Sequence, residues 1–228
     1  MTGKPTTGSR QIGWYDRVAP LYDASMMGDW FYRDARGKIF EELGPLPGQT
    51  CFVFFCGTGF DLPLIAGTMH PAKVVGIDGS EAMLHQAQRR AASLATSGIE
   101  FDFLQSNSET DDGLAHVIAA IEEHRPAALV YSLGLTCLPS WRRFFLRTFD
   151  AAPSGAKAGI LDVHSPQPGA GKTLIDFIGS AETSRPAWEE LEKRSDSYRC
   201  FEFHPFRPVD VKVFTAVGEK MLDNVIHR

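Results

Sequence analysis

The chain lacks any run of eighteen apolar residues, so no helix of the kind that crosses a bilayer is expected. Cysteine is scarce: Cys51, Cys56, Cys137 and Cys200 are scattered over 228 residues without a Cys-x-x-Cys pair. That spacing argues against a metal cage and a disulfide frame, and is expected of thiols in a cytoplasmic protein. Positive charge is also short. Lys and Arg number 23 against 28 Asp and Glu, a net charge of −5, whereas non-specific nucleic-acid binding needs a basic face. No segment repeats at a fixed period, which sets aside solenoids and propellers. The first ten residues, Met1 to Arg10, hold no apolar signal-peptide core and read as a tail.

What is present suits one large α/β domain over 1–228, with a tail at 1–12 and a helical lid at 13–45. The lid segment is rich in aromatics: Trp14, Tyr15, Tyr22, Trp30, Phe31 and Tyr32. Short apolar runs then alternate with helical periodicity. Strands are expected near Cys51–Phe55, Lys73–Asp78, Glu100–Leu104, Ala127–Ser132 and Lys157–His164. Between them lie helices over Asp61–Thr68, after Ser80, across Leu114–Ile121 and across Trp141–Phe149. His70-Pro71 and Arg125-Pro126 supply stops, because the residue before a proline is pushed out of the helical region. Helical sequence continues over Thr173–Arg194. Two last runs, Tyr198–His204 and Asp210–Val217, are joined by Pro-Phe-Arg-Pro. So short a link forces them antiparallel, since a parallel pair needs a crossover. The expected fold is a Rossmann-like, doubly wound, mostly parallel seven-stranded sheet, with a C-terminal antiparallel strand pair and an N-terminal helical lid.

The stretch Cys51 to Asp78 carries the most information. An apolar run ends in Cys56-Gly57-Thr58-Gly59, and a second run, Val74-Val75-Gly76-Ile77, closes on Asp78. This is one βαβ nucleotide-binding unit, in which glycines admit a ligand to the backbone and the second-strand acid accepts ribose hydroxyls. No Lys-Ser or Lys-Thr follows the turn, so it is no P-loop. Gly169-Ala170-Gly171-Lys172-Thr173 imitates the end of a Walker A loop, but its required first glycine is Pro166.

The Cys-Gly-Thr-Gly turn followed by Gly76-Ile77-Asp78 resembles class I S-adenosylmethionine methyltransferases. Tyr15-Asp16-Arg17-Val18-Ala19-Pro20-Leu21-Tyr22-Asp23 is similar to the segment that folds over the cofactor in members acting on quinone precursors and lipid headgroups. The resemblance implies S-adenosyl-L-methionine as cofactor and Cys56, Gly57, Thr58, Gly59, Asp78, Gly79, Met83, Asn107, Ser108 and Ser132 as its contacts. Each has a plainer reading: a tight turn for the glycines, a cap for Asp78, loop bonding for Asn107. Tyr22 and His164 are the candidate catalytic groups, an aromatic face for a sulfonium and a base at the end of strand five. For both, a structural role stays open, as it does for Asp162 beside His164. Arg33 is either a partner for the cofactor carboxylate or a solvated helix residue. No metal ligand set is expected.

Two positions depart from the family pattern. The acid and first glycine of acid-x-Gly-x-Gly-x-Gly are Val53 and Phe55. A phenylalanine there is expected to narrow the room over the turn. The implied activity is methyl transfer to a small apolar or aromatic molecule, with peripheral lipid contact left open; the alternative is a methyltransferase-fold protein with a degenerate turn, serving as a non-catalytic binding or partner subunit.

Overall fold

The computed structural model describes residues 7–19, 28–165, 167–169, 172–173, 176, 181–205 and 211–222. The elements in chain order are α1 (Thr7–Val18), α2 (Gly28–Leu43), β1 (Thr50–Phe54), α3 (Leu62–Thr68), β2 (Lys73–Asp78), α4 (Glu81–Ala92), β3 (Glu100–Gln105), α5 (Asp111–His124), β4 (Ala128–Ser132), α6 (Trp141–Ala151), β5 (Lys157–His164), α7 (Ala187–Glu192), β6 (Arg199–Phe203) and β7 (Lys212–Glu219).

The strands form one sheet in the order β3-β2-β1-β4-β5-β7-β6. β7 alone runs against the rest, pairing antiparallel with β5 on one side and β6 on the other. The chain winds outward from β1 through β2 to β3, then returns to start again at β4 beside β1. That reversal makes the crevice beyond the carboxyl ends of β1 and β4 the switch point, where ligands bind in open α/β sheets.

Helices cover both faces, so the central strands are apolar throughout rather than alternating with polar residues. Side-chain alternation along β1 divides the core. Cys51 and Val53 join Ile39, Phe40, Leu43, Leu62, Ile65 and Leu84 on one face. Phe52 and Phe54 join Tyr131, Phe144, Phe145, Phe149, Val117 and Leu191 on the other. Helix starts follow local chemistry: the Ser80 hydroxyl accepts from the Met83 N–H at 3.2 Å, and that of Thr110 accepts from the Gly113 N–H at 3.1 Å. At the end of α2, Lys157 Nζ donates to the Leu43 carbonyl at 2.6 Å, a cation on the negative end of the helix.

Two boundaries differ from the sequence expectation. Residues 7–12 belong to α1 instead of a tail, because Ile12 finds an apolar seat on Gly79. The helix expected over Thr173–Arg194 is, among its described residues, interrupted: 181–186 form turn and coil, and α7 begins only after Pro186.

Candidate active-site cleft

Strand β1 ends at Phe54, and the Cys56 N–H still bonds the Ile77 carbonyl at 3.0 Å, carrying the β1–β2 pairing into the turn. Gly59 then lets α3 start close to α4. Its φ is +74°, and an added Cβ would stand 2.8 Å from Leu62 Cδ1 and 3.0 Å from Ala87. Asp78, at the end of β2, accepts from the Gly57 N–H at 2.9 Å through Oδ2 and from the Ser80 N–H at 2.9 Å through Oδ1. Burial raises its pKa; the Ser80, Gly57 and Gly79 N–H groups oppose that rise by favouring the carboxylate.

After β3, Asn107 shapes its own loop. Its Oδ1 accepts from the Glu109 N–H at 3.1 Å, and its carbonyl accepts from the Thr110 N–H and hydroxyl, each at 3.0 Å. Glu109 turns back to accept from the Ser140 N–H at 3.1 Å, joining this loop to the start of α6.

The loop after β4 is held from two sides. Asp162, buried in β5, accepts from the Thr136 hydroxyl at 2.6 Å and the Thr136 N–H at 3.0 Å. Arg185 Nη1 donates to the carbonyls of Leu135, Thr136 and Leu138 at 3.1, 2.9 and 2.6 Å. Donors and acceptors of the segment are thus met by one acid and one base, which fixes Gly134, Cys137 and Leu138 against the cleft. Asp162 is therefore a loop clamp and does not orient His164.

Helix α1 closes the remaining side. Asp16 Oδ1 accepts from the Ser80 hydroxyl at 2.6 Å, placing a carboxylate at the N-terminus of α4, where the helix dipole favours it. Tyr15 directs its hydroxyl at Cys137 Sγ, 3.8 Å away.

These parts bound one cleft of about 670 Å³, including its open mouth. Gly57, Asp78, Gly79, Met83, Asn107 and Ser108 line it, so six of the ten expected cofactor contacts converge. Cys56, Thr58, Gly59 and Ser132 do not line it. The Cys56 side chain is buried in the core, and burial pushes its thiol pKa up. Thr58 is buried and accepts from Arg90 Nη1, which bonds its carbonyl at 2.7 Å. Gly59 serves helix packing, and the Ser132 hydroxyl donates to Asp61 Oδ2 at 2.5 Å. Lining residues without a sequence signal include Ile12, Glu109, Cys137 and Leu138. Ile12 falls in the stretch that reads as a tail from sequence, and the others follow no motif.

The charge of the cleft has one sign. Asp78 and Glu109 are its ionisable carboxylates, and no Lys, Arg or His is among the described lining residues. Tyr15, Phe55, Leu133 and Leu138 supply apolar and aromatic wall.

His164 ends β5 as expected but does not line the cleft. Its ring packs edge-on against Trp188, with centroids 4.6 Å apart, and burial lowers its pKa. The base expected at this position is thus drawn to the α7 side by an aromatic contact. Tyr22 lies outside the described residues. Arg33 is exposed on α2, away from the cleft lining. Lys172 of the Walker-like segment is an ion-pair partner of Asp176, at 2.5 Å, and donates to the Thr183 hydroxyl at 3.2 Å.

The two motif departures are built into the packing. Val53 is fully buried in apolar core, while Asp61 at the start of the following helix accepts from Arg36 Nε at 2.8 Å and from the Ser132 hydroxyl. Phe55 takes a glycine-like φ of +58°, and its ring lies over Gly134.

Residues 54–113 match a methyltransferase domain family model. The 2-phytyl-1,4-naphtoquinone methyltransferase of Nostoc sp. is 28% identical over 159 residues, 67% of this chain and 64% of that protein. Its Synechococcus elongatus namesake is 28% identical over 158 residues, with shares of 68% and 64%. The chain thus aligns with just under two thirds of these relatives' length. Among solved structures, the [4+2]-cyclase SpnF superposes with a TM-score of 0.68 at 14% identity, covering 96% of this chain and 98% of that one. Geranyl diphosphate C-methyltransferase from Streptomyces coelicolor, solved with geranyl diphosphate and S-adenosyl-L-homocysteine, gives 0.63 at 12% identity, with coverages of 83% and 79%. The resemblance read from Cys56–Gly59 and Asp78 holds: the chain has the α/β fold of these methyltransferases, with a methyltransferase domain match over residues 54–113.

Proposed function

We propose that this protein is an S-adenosylmethionine-dependent methyltransferase acting on a small, largely apolar or aromatic molecule. The observation that carries the reading is the convergence of Gly57, Asp78 and Asn107 on one cleft at the β1/β4 switch point. The residues fit the cofactor. Asp78 keeps acceptor capacity for ribose hydroxyls beyond the bonds it takes from the backbone, since each carboxylate oxygen accepts more than one hydrogen bond. Asn107, Ser108 and Glu109 offer polar edges to a base, and Met83 an apolar contact. A cleft whose acids are the carboxyls of Asp78 and Glu109, with no Lys, Arg or His among its described lining residues, favours a cation, as a sulfonium is.

When bound, S-adenosylmethionine would supply an electrophilic methyl on its sulfonium for a nucleophile held in line with it. The protein's contribution is positioning and the exclusion of water. The clamped loop 134–138 holds one wall rigid, and α1 covers the cleft through Ile12 and Tyr15. No proton transfer is assigned to His164, which stands outside the cleft. The apolar and aromatic wall supports an apolar acceptor, as do relatives named for phytyl-naphthoquinone methylation.

Calorimetric titration with S-adenosylmethionine and with S-adenosylhomocysteine tests the cofactor. Binding of either sustains the reading; absence of both at millimolar ligand rejects it. Transfer of labelled methyl to prenylated quinones and hydroxylated aromatics, against polar amines as the contrast, then tests the acceptor class.

A further inference from the structure

The end of β1 holds a bulky residue in the left-handed region, Phe55 at φ +58°, and the end of neighbouring β4 holds another, Leu133 at φ +54°. Such conformations are costly for residues with large side chains and persist where the surroundings over-determine them. Here both strained residues line the same cleft. Gly134 follows Leu133 and lies against the Phe55 side chain. A Cβ added to Gly134 would stand 2.5 Å from Phe55 Cβ and overlap Phe55 Cγ and Cδ2. The ring therefore rests on a bare α-carbon that no other residue could supply. Phe144 supports it further, with ring centroids 5.3 Å apart and planes tilted by 49°.

We infer that Phe55 is a ligand-contacting specificity residue, and that Gly134 is the seat that keeps its ring out of the ligand's path. The pair sets the width of the cleft at the switch point, between the turn N–H groups around Gly57 and the clamped loop after β4. The ligand class is the adenosyl sulfonium of the function proposed above, on which this inference rests. An unseated ring is blocked on the core side by Phe144, itself packed on Phe54 with centroids 5.4 Å apart, and is open on the side where Phe55 lines the ligand space. That side is the cleft.

A double-mutant cycle reads the coupling. S-adenosylmethionine affinity is measured by calorimetry for the wild type, Gly134→Ala, Phe55→Gly and the double variant, with the thermal midpoint of each recorded alongside. The methyl of Gly134→Ala should displace the ring and weaken binding at least tenfold. Adding Phe55→Gly should restore affinity to within about threefold of the Phe55→Gly single variant. Wild-type affinity in a folded Gly134→Ala protein overturns the inference, and so does a double variant as weak as Gly134→Ala. If Gly134→Ala does not fold, Phe55→Trp carries the test, because a larger ring on the same seat must narrow the cleft. Weakened binding then supports the inference, and unchanged binding overturns it. A wild-type protein that binds neither adenosyl ligand brings down the proposed function and this inference with it; a wild type that binds while the variants stay uncoupled overturns this inference alone.

Discussion

Asp78 Oδ2 accepts the Gly57 N–H at 2.9 Å, so the acid closing β2 also braces the turn that follows β1. One side chain thereby links the two halves of the βαβ unit and faces the cleft. Its loss should register twice. Asp78→Ala should weaken S-adenosylmethionine binding by about 1.5–3 kcal/mol, the scale for hydrogen bonds to a charged group. It should also lower the thermal midpoint, because the Gly57 and Ser80 N–H groups lose their acceptor. Calorimetry and a melting curve on the same preparation separate the two effects. Unchanged affinity in a folded variant would remove Asp78 from the site.

Arg36 and Asp61 form a buried pair, 8% and 4% exposed, bonded at 2.8 Å. Removing one member strands the other without its counter-charge. Arg36→Met should therefore cost about 3–5 kcal/mol of folding stability in denaturant titration, and adding Asp61→Asn should recover part of the loss. The Ser132 hydroxyl, which donates to Asp61, can by itself replace only a fraction of that stabilisation. A loss below about 1 kcal/mol would show that the pair carries little of the fold's stability.

Burial lifts the Asp162 carboxyl from 3.8 to about 6, against the bonds it accepts from Thr136 and Val163. A raised carboxyl pKa means that the folded state holds the proton more tightly than the unfolded chain. Its contribution is fully present below about pH 4 and is lost as pH rises through about 6, a span of at most about 3 kcal/mol. Stability curves of the wild type and Asp162→Asn, compared point by point from pH 4 to pH 7, should diverge in that window. Parallel curves would mean that Asp162 titrates alike folded and unfolded.

Helix α1 is tied to the sheet domain by Asp16 on Ser80 and by Ile12 on Gly79. Deleting residues 1–18 should leave the far-UV circular dichroism of the sheet domain in place. Ligand affinity should fall about tenfold or more as the cleft loses one wall. Retained affinity would make α1 a packing element without a role as a lid.

Strand positions were legible because a sheet covered on both faces needs continuous apolar runs, and β2 and β5 match their sequence bounds residue for residue. The antiparallel final pair followed from a short connection, and the doubly wound plan from the resemblance carried by Cys56–Gly59 and Asp78; the strand order itself came only from the structure. Part of the cleft lining was readable too. Gly57, Asp78 and Asn107 sit at strand ends, and in a doubly wound sheet strand ends are brought together by the fold itself. His164 shows where that logic fails. A strand end places a residue at the edge, but the neighbours decide where the side chain goes, and Trp188 draws this one aside.

By itself, the sequence determined the layered architecture, the turn and the acid opposite it, because periodicity and glycine spacing are local properties of the chain. Tertiary structure decided everything that depends on contacts between residues far apart in the sequence. The buried pair of Arg36 and Asp61 links side chains 25 positions apart, and the clamp of Asp162 and Arg185 on loop 134–138 draws on three separate segments. Phe55 reads in sequence as a defect in a glycine motif. Only the sheet, by setting β1 beside β4, brings Gly134 beneath its ring and turns the departure into a matched pair, since the bare α-carbon that accommodates it lies 79 residues further along the chain.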